Sequence, residues 1–65
     1  MLYTVKEVSE IIKTNPSYVY RLIRCGRLPA IKLGAYKVRS EALDAFLREH
    51  EGKDVTDPYN VKDLV

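Results

Sequence analysis

Apolar positions recur at helical spacing in three stretches of this 65-residue chain and alternate at strand spacing in one. Val5, Val8, Ile11 and Ile12 fall on one side of a first helix and turn that side toward a core. Its start is predicted at Thr4. A threonine N-cap with Glu7 at the third helical position makes a capping box, and Tyr3 and Val8 occupy the flanking staple positions. The helix should end near Lys13 or Thr14. Asn15-Pro16 predicts a second helix at once, with Asn15 as N-cap and proline where its missing N–H costs nothing. That helix should run from residue 16 to 25, with Gly26 as its stop. Val19, Leu22 and Ile23 form its apolar face, while Ser17, Tyr20, Arg21 and Arg24 project from the other.

After the connector Arg27-Leu28-Pro29, the runs Ala30 to Leu33 and Tyr36 to Arg39 have strand length and are separated by Gly34-Ala35. A glycine first in a two-residue loop suits a type II′ hairpin turn. In that register Leu33 opposes Tyr36 and Ile31 opposes Val38 on an apolar face. Lys32 then opposes Lys37, and Ala30 opposes Arg39, on a basic face. Opposed lysines repel unless an anion lies beside them, and a phosphate backbone would serve.

A third helix is predicted from Ser40 as N-cap, with Glu41 in its first turn and Ala42, Leu43, Phe46 and Leu47 as its buried stripe. It should end between Glu49 and Gly52. Residues 1–50 therefore read as one domain. Residues 51–65 read as an acidic, flexible tail, with a turn at Asp57-Pro58 and a short structured piece between Val61 and Val65. The fold class is mainly α with a small β-hairpin. In order it is helix, turn, helix, two-stranded wing and helix, a compact winged helix-turn-helix.

Composition changes this picture in two ways. First, nothing staples so small a core. Cys25 is the single cysteine and His50 the single histidine, so neither a disulfide nor a Cys/His zinc site is available. Second, the net charge of +2 hides an uneven distribution. Between Ile11 and Ser40 lie Lys13, Arg21, Arg24, Arg27, Lys32, Lys37 and Arg39, with no Asp or Glu among them. From Glu51 onward Glu51, Asp54, Asp57 and Asp63 outweigh Lys53 and Lys62. An acid-free basic segment is the footprint of a phosphate-binding surface, although charge alone equally allows a solvated basic face. No membrane-length apolar run and no leader pattern occurs, and a lone thiol suits a reducing compartment. The expected location is cytoplasmic, on the nucleoid when bound to DNA.

At this point the segments Tyr3-Thr4-Val5-Lys6-Glu7-Val8, Ser17-Tyr18-Val19-Tyr20-Arg21-Leu22-Ile23-Arg24, Gly26-Arg27-Leu28-Pro29-Ala30 and Ser40-Glu41-Ala42-Leu43-Asp44-Ala45-Phe46-Leu47 carry a resemblance. In their order and spacing they resemble the excisionase-type DNA-binding family, whose fold is a MerR-like winged helix, over roughly residues 2–49. The resemblance implies that the second helix enters the major groove while the wing meets an adjacent minor groove or the backbone. It further implies a small phage- or transposon-encoded factor that bends DNA and directs a site-specific integrase toward excision. Similar domains also regulate transcription. The chain departs from the family pattern twice. Lys13-Thr14-Asn15 holds no glycine in the helix-helix turn, and Ala35 stands at the wing tip where basic residues are common.

The candidate DNA-binding residues are therefore Asn15, Ser17, Tyr18, Tyr20, Arg21 and Arg24 from the second helix and Lys32, Lys37 and Arg39 from the wing. Arginine pairs bidentately with guanine or with phosphate. Asn15 and Ser17 sit at a helix N-terminus, where N–H groups meet phosphate. Tyr18 and Tyr20 suit sugar or phosphate, and the wing cations suit phosphate. Tyr36 reads as a packing residue, Cys25 as incidental and His50 as a core-edge histidine. No catalytic constellation, metal site or cofactor loop appears, so the protein is not expected to be an enzyme. The expected partners are double-stranded DNA, an integrase or recombinase, and neighbouring copies of the same chain. A small transcription regulator is the alternative. An antitoxin- or adaptor-like interaction module, with its basic face on an acidic protein, is the alternative from another class.

Overall fold

The computed structural model describes residues 1–64. The elements in order are β1 (Leu2–Thr4), α1 (Val5–Ile11), α2 (Pro16–Arg24), β2 (Ile31–Leu33), β3 (Ala35–Arg39), α3 (Ser40–Glu49), β4 (Lys53–Asp54) and β5 (Lys62–Asp63). The winged helix-turn-helix is present. Its wing belongs to a three-stranded antiparallel sheet in the order β1-β3-β2. Strand β1 lies in a segment that carries too few residues for a period to show. It pairs Leu2 with Arg39, Tyr3 with Val38 and Thr4 with Lys37.

Both helix starts form as the side chains dictate. The Thr4 hydroxyl accepts the Glu7 N–H at 3.1 Å, and the Glu7 carboxylate accepts the Thr4 N–H at 2.8 Å. Asn15 Oδ1 accepts the Tyr18 N–H at 2.9 Å, and Pro16 follows as the first helical residue. The turn between the helices is a Schellman closure, in which Thr14 N–H donates to the Ser9 carbonyl and Lys13 N–H to the Glu10 carbonyl. Such a closure needs one left-handed residue. Lys13 supplies it, at φ 59°, where glycine would be unstrained. Helix α2 closes in the same way with a glycine at that position, Gly26 at φ 82°.

The core joins Val5 and Val8 of α1, Val19 and Leu22 of α2, Leu28 of the connector, Val38 of β3, and Leu43 and Phe46 of α3. Ile11 and Leu47, expected inside, are instead exposed. Ser9 takes the inward position on α1, its hydroxyl donating to the Lys6 carbonyl at 2.7 Å, and Leu47 borders an open groove on α3. Ser40 is the first residue of α3 rather than its cap. Its N–H donates to the Met1 carbonyl at 2.8 Å, which extends the sheet to the point where the helix begins.

The register of the wing differs from the expected one by a single residue. Lys32 faces Tyr36, Ile31 faces Lys37 and Leu33 faces Ala35, closing on Gly34 at φ 78°. The reason lies in burial. Tyr36 and Val38 are held inward, Val38 being fully buried, whereas β2 is an edge strand exposed along its whole length. A strand with no buried face takes its register from the turn. The expected pair of opposed lysines is therefore absent, and so is the single basic face. Lys32 shares a face with Tyr36, while Lys37 and Arg39 lie on the other with the exposed Ile31 and Leu33.

In place of the flexible tail expected after residue 50, β4 and β5 pair Lys53 with Asp63 and Asp54 with Lys62. The Asp57-Pro58 turn forms, with Asn60 N–H donating to the Asp57 carbonyl at 3.0 Å, and Pro58 is fully buried. The structured piece expected near Val61 to Val65 corresponds to β5. Val65 itself lies outside the described residues.

Candidate nucleic-acid interface

Burying Val19 and Leu22 fixes the rotation of α2 about its axis. Ser17, Tyr20, Arg21 and Arg24 are consequently exposed on the side away from the core. This face is bordered by two hairpins. On one side the Tyr20 ring meets the Tyr36 ring edge-on, centroids 6.1 Å apart, which ties α2 to the wing. On the other side Arg21 Nη2 lies 3.9 Å from Asp57 Oδ1 in the β4–β5 turn. Arg24 is exposed and makes no ion pair among the described residues.

The nine candidate residues do not stand equally free. Asn15 is engaged as the helix cap. Tyr18 is half-buried, and its hydroxyl donates to the Val55 carbonyl. Burial pushes that phenol above its ordinary value, with Arg21 opposing the rise. The Arg21 guanidinium stands 5.8 Å from the centre of the Tyr18 ring. Lys32 stands 5.2 Å from the centre of the Tyr36 ring on the face that adjoins α2. Lys37 is half-buried on the opposite face. Arg39 pairs with Glu41 at 3.0 Å, so an acid stands beside a cation that looked free in the sequence.

Arrangement and charge thus present an exposed helix with arginines and hydroxyls but no acid of its own, beside a ribbon with cations on both faces. The sequence model of a helix-turn-helix domain matches residues 2–51. The chain belongs to the helix-turn-helix domain family. This family includes excisionase-like DNA-binding proteins. No curated protein and no solved structure matches the chain. As a helix-turn-helix domain it binds double-stranded DNA in a sequence-specific way, and α2 is the second helix of that motif.

The remaining candidates have local roles. Cys25 Sγ donates to the Leu22 carbonyl at 3.4 Å. His50 stacks on Phe46 at 4.4 Å, and its Nδ1 lies 2.7 Å from the Phe46 carbonyl oxygen. Among the described residues no group of His, Cys, Asp and Glu could hold a metal ion, and no helix is long and apolar enough to cross a membrane.

Two participants escape the sequence analysis, Asp57 and Glu41. Asp57-Pro58 is visible as a turn, but nothing in its spacing says that the turn lands beside Arg21. Glu41 reads correctly as a first-turn acid, and its reach back to Arg39 follows from the direct passage of β3 into α3.

Proposed function

We propose that this protein is an excisionase-like accessory factor. It binds a specific duplex site through α2 and the wing, bends the DNA, and directs a site-specific integrase toward excision of a mobile element. Residues 1–50 are the DNA-binding unit in this reading, with the acidic segment 51–65 appended. Arg21 and Arg24 read base edges in the major groove, and Ser17 and Tyr20 position the helix on the backbone. Asn15 caps the helix and orients its free N–H groups toward a phosphate. Tyr18 supports Arg21 from beneath. Lys32, Lys37 and Arg39 hold phosphates.

The observation that carries the reading is the acid-free exposed face of α2 flanked by a basic wing. The corrected wing register adds support. A minor groove has a phosphate strand on each side, and a ribbon with Lys32 on one face and Lys37 and Arg39 on the other has a cation for each. The step from DNA binding to excision rests on the resemblance of the four sequence segments and on the family to which they belong.

The test is reconstituted recombination with a cognate integrase, preceded by a footprint on the DNA flanking the protein's own gene. The protein should protect a site next to an attachment sequence and shift the reaction toward excision. A footprint over a promoter with an unchanged recombination balance would establish the regulator instead. Absence of duplex binding even at low salt would leave the protein-interaction reading.

A further inference from the structure

Asp57 is placed with more care than a solubilising acid needs. Its Oδ1 accepts the Tyr59 N–H at 3.0 Å, so the carboxylate is fixed by its own turn. That turn is anchored to α2 and the segment that follows it. Pro58 is fully buried, the Pro58 carbonyl accepts Arg27 Nε at 2.5 Å, and the Val55 carbonyl accepts the Tyr18 hydroxyl. The same Asp57 oxygen lies 3.9 Å from Arg21 Nη2, while the Tyr18 ring borders the guanidinium from another side. Arg21 is thus bordered by a carboxylate held by the Tyr59 N–H and by an aromatic ring whose hydroxyl is held by the Val55 carbonyl. The hairpin that brings these groups together lies beyond residues 2–51, which the helix-turn-helix match covers.

We infer that Asp57 is a positioning residue for Arg21 and that it sets the base specificity of the recognition helix. The inference rests on the proposed role of Arg21 as a base reader. A carboxylate beside a DNA-binding face repels phosphate, so it weakens binding to every duplex alike. Its favourable effect comes through the arginine. A guanidinium held in one plane presents its paired N–H groups to guanine O6 and N7, whereas a free one also settles on any nearby phosphate. Asp57 therefore trades general affinity for discrimination.

The experiment takes the duplex that the wild-type protein selects from a randomised pool and compares its dissociation constant with that of a random duplex. Asp57→Asn keeps an acceptor for the Tyr59 N–H and the seat of Pro58, and an unchanged melting curve confirms the fold. The ratio of random to selected dissociation constants should fall roughly three- to tenfold in Asp57→Asn, with random-duplex binding tighter. In an Arg21→Ala background the same change should leave the ratio alone, because the residue through which Asp57 acts is gone. Equal tightening on both duplexes would show that Asp57 is a repulsive charge only and overturn the inference. A rising ratio would show that it competes with DNA for Arg21, which overturns it as well. Loss of ratio persisting without Arg21 would place the effect elsewhere. A wild-type protein that selects no sequence at all would instead remove the base-reading role on which the inference stands.

Discussion

Tyr20 of α2 and Tyr36 of β3 meet edge-on at 6.1 Å, and this contact joins the recognition helix to the wing. An edge-to-face pair contributes about 0.5–1.5 kcal/mol beyond the area it covers. A double-mutant cycle of Tyr20→Ala and Tyr36→Ala, followed by urea unfolding, should show a coupling energy of about 1 kcal/mol. Additive losses would mean that helix and wing are held together by the core alone.

Lys13 occupies a left-handed backbone position at φ 59°. A side chain there costs about 1 kcal/mol relative to glycine, partly offset by the greater freedom of glycine in the unfolded chain. Lys13→Gly should raise the melting temperature by a few degrees, since about 1 kcal/mol shifts a domain of this size by roughly 4–8 °C. A lower melting temperature would contradict the strain.

Glu41 titrates at about 2 against an ordinary value of 4.5. Its own backbone N–H, then the Ser40 hydroxyl, then Arg39 favour the carboxylate. A carboxyl depressed by folding stabilises the native state above its unfolded pKa and loses that contribution as the pH falls toward the folded one. Melting temperatures of wild type and Glu41→Gln should therefore differ at neutral pH and converge as the pH falls from about 4.5 to about 2. The substitution should also tighten binding to random duplex, because Arg39 loses its acidic partner.

The Tyr18 hydroxyl, donated to the Val55 carbonyl, links α2 to the strand β4 side of the hairpin. Tyr18→Phe should cost about 1 kcal/mol in chemical denaturation. The raised phenol pKa has a second consequence, since the fold favours the neutral ring. Stability should be complete below about pH 10 and fall as the pH rises past that value, less steeply in Tyr18→Phe than in wild type.

Arg21→Ala should cost about 1–3 kcal/mol on the selected duplex and little on random DNA. Lys32→Ala and Lys37→Ala, on opposite faces of the wing, should each weaken all duplexes alike and flatten the log–log salt slope by about one unit. A change confined to one of the two would show that a single wing face meets phosphate. Gel shifts across a salt series distinguish these outcomes.

Local chemistry made much of this protein legible in its sequence. Thr4 with Glu7, Asn15 with Pro16, Gly26 and Asp57 with Pro58 act on backbone groups within a few residues, so their caps and turns follow from order alone. The stripe of Val19 and Leu22 likewise fixed which face of α2 is exposed, and with it the basic side chains offered to DNA. Tertiary structure decided the rest. Strand β1 exists because β3 is there to pair with it, and Ile11 and Leu47 are exposed because no neighbouring element covers them. The wing register followed its turn, since β2 has no buried face to resist a one-residue shift. Above all, Asp57 reaches Arg21, and Val55 reaches Tyr18, only because the chain folds back after α3. Periodicity places a side chain on its own helix or strand, while contact between elements depends on how the whole chain packs.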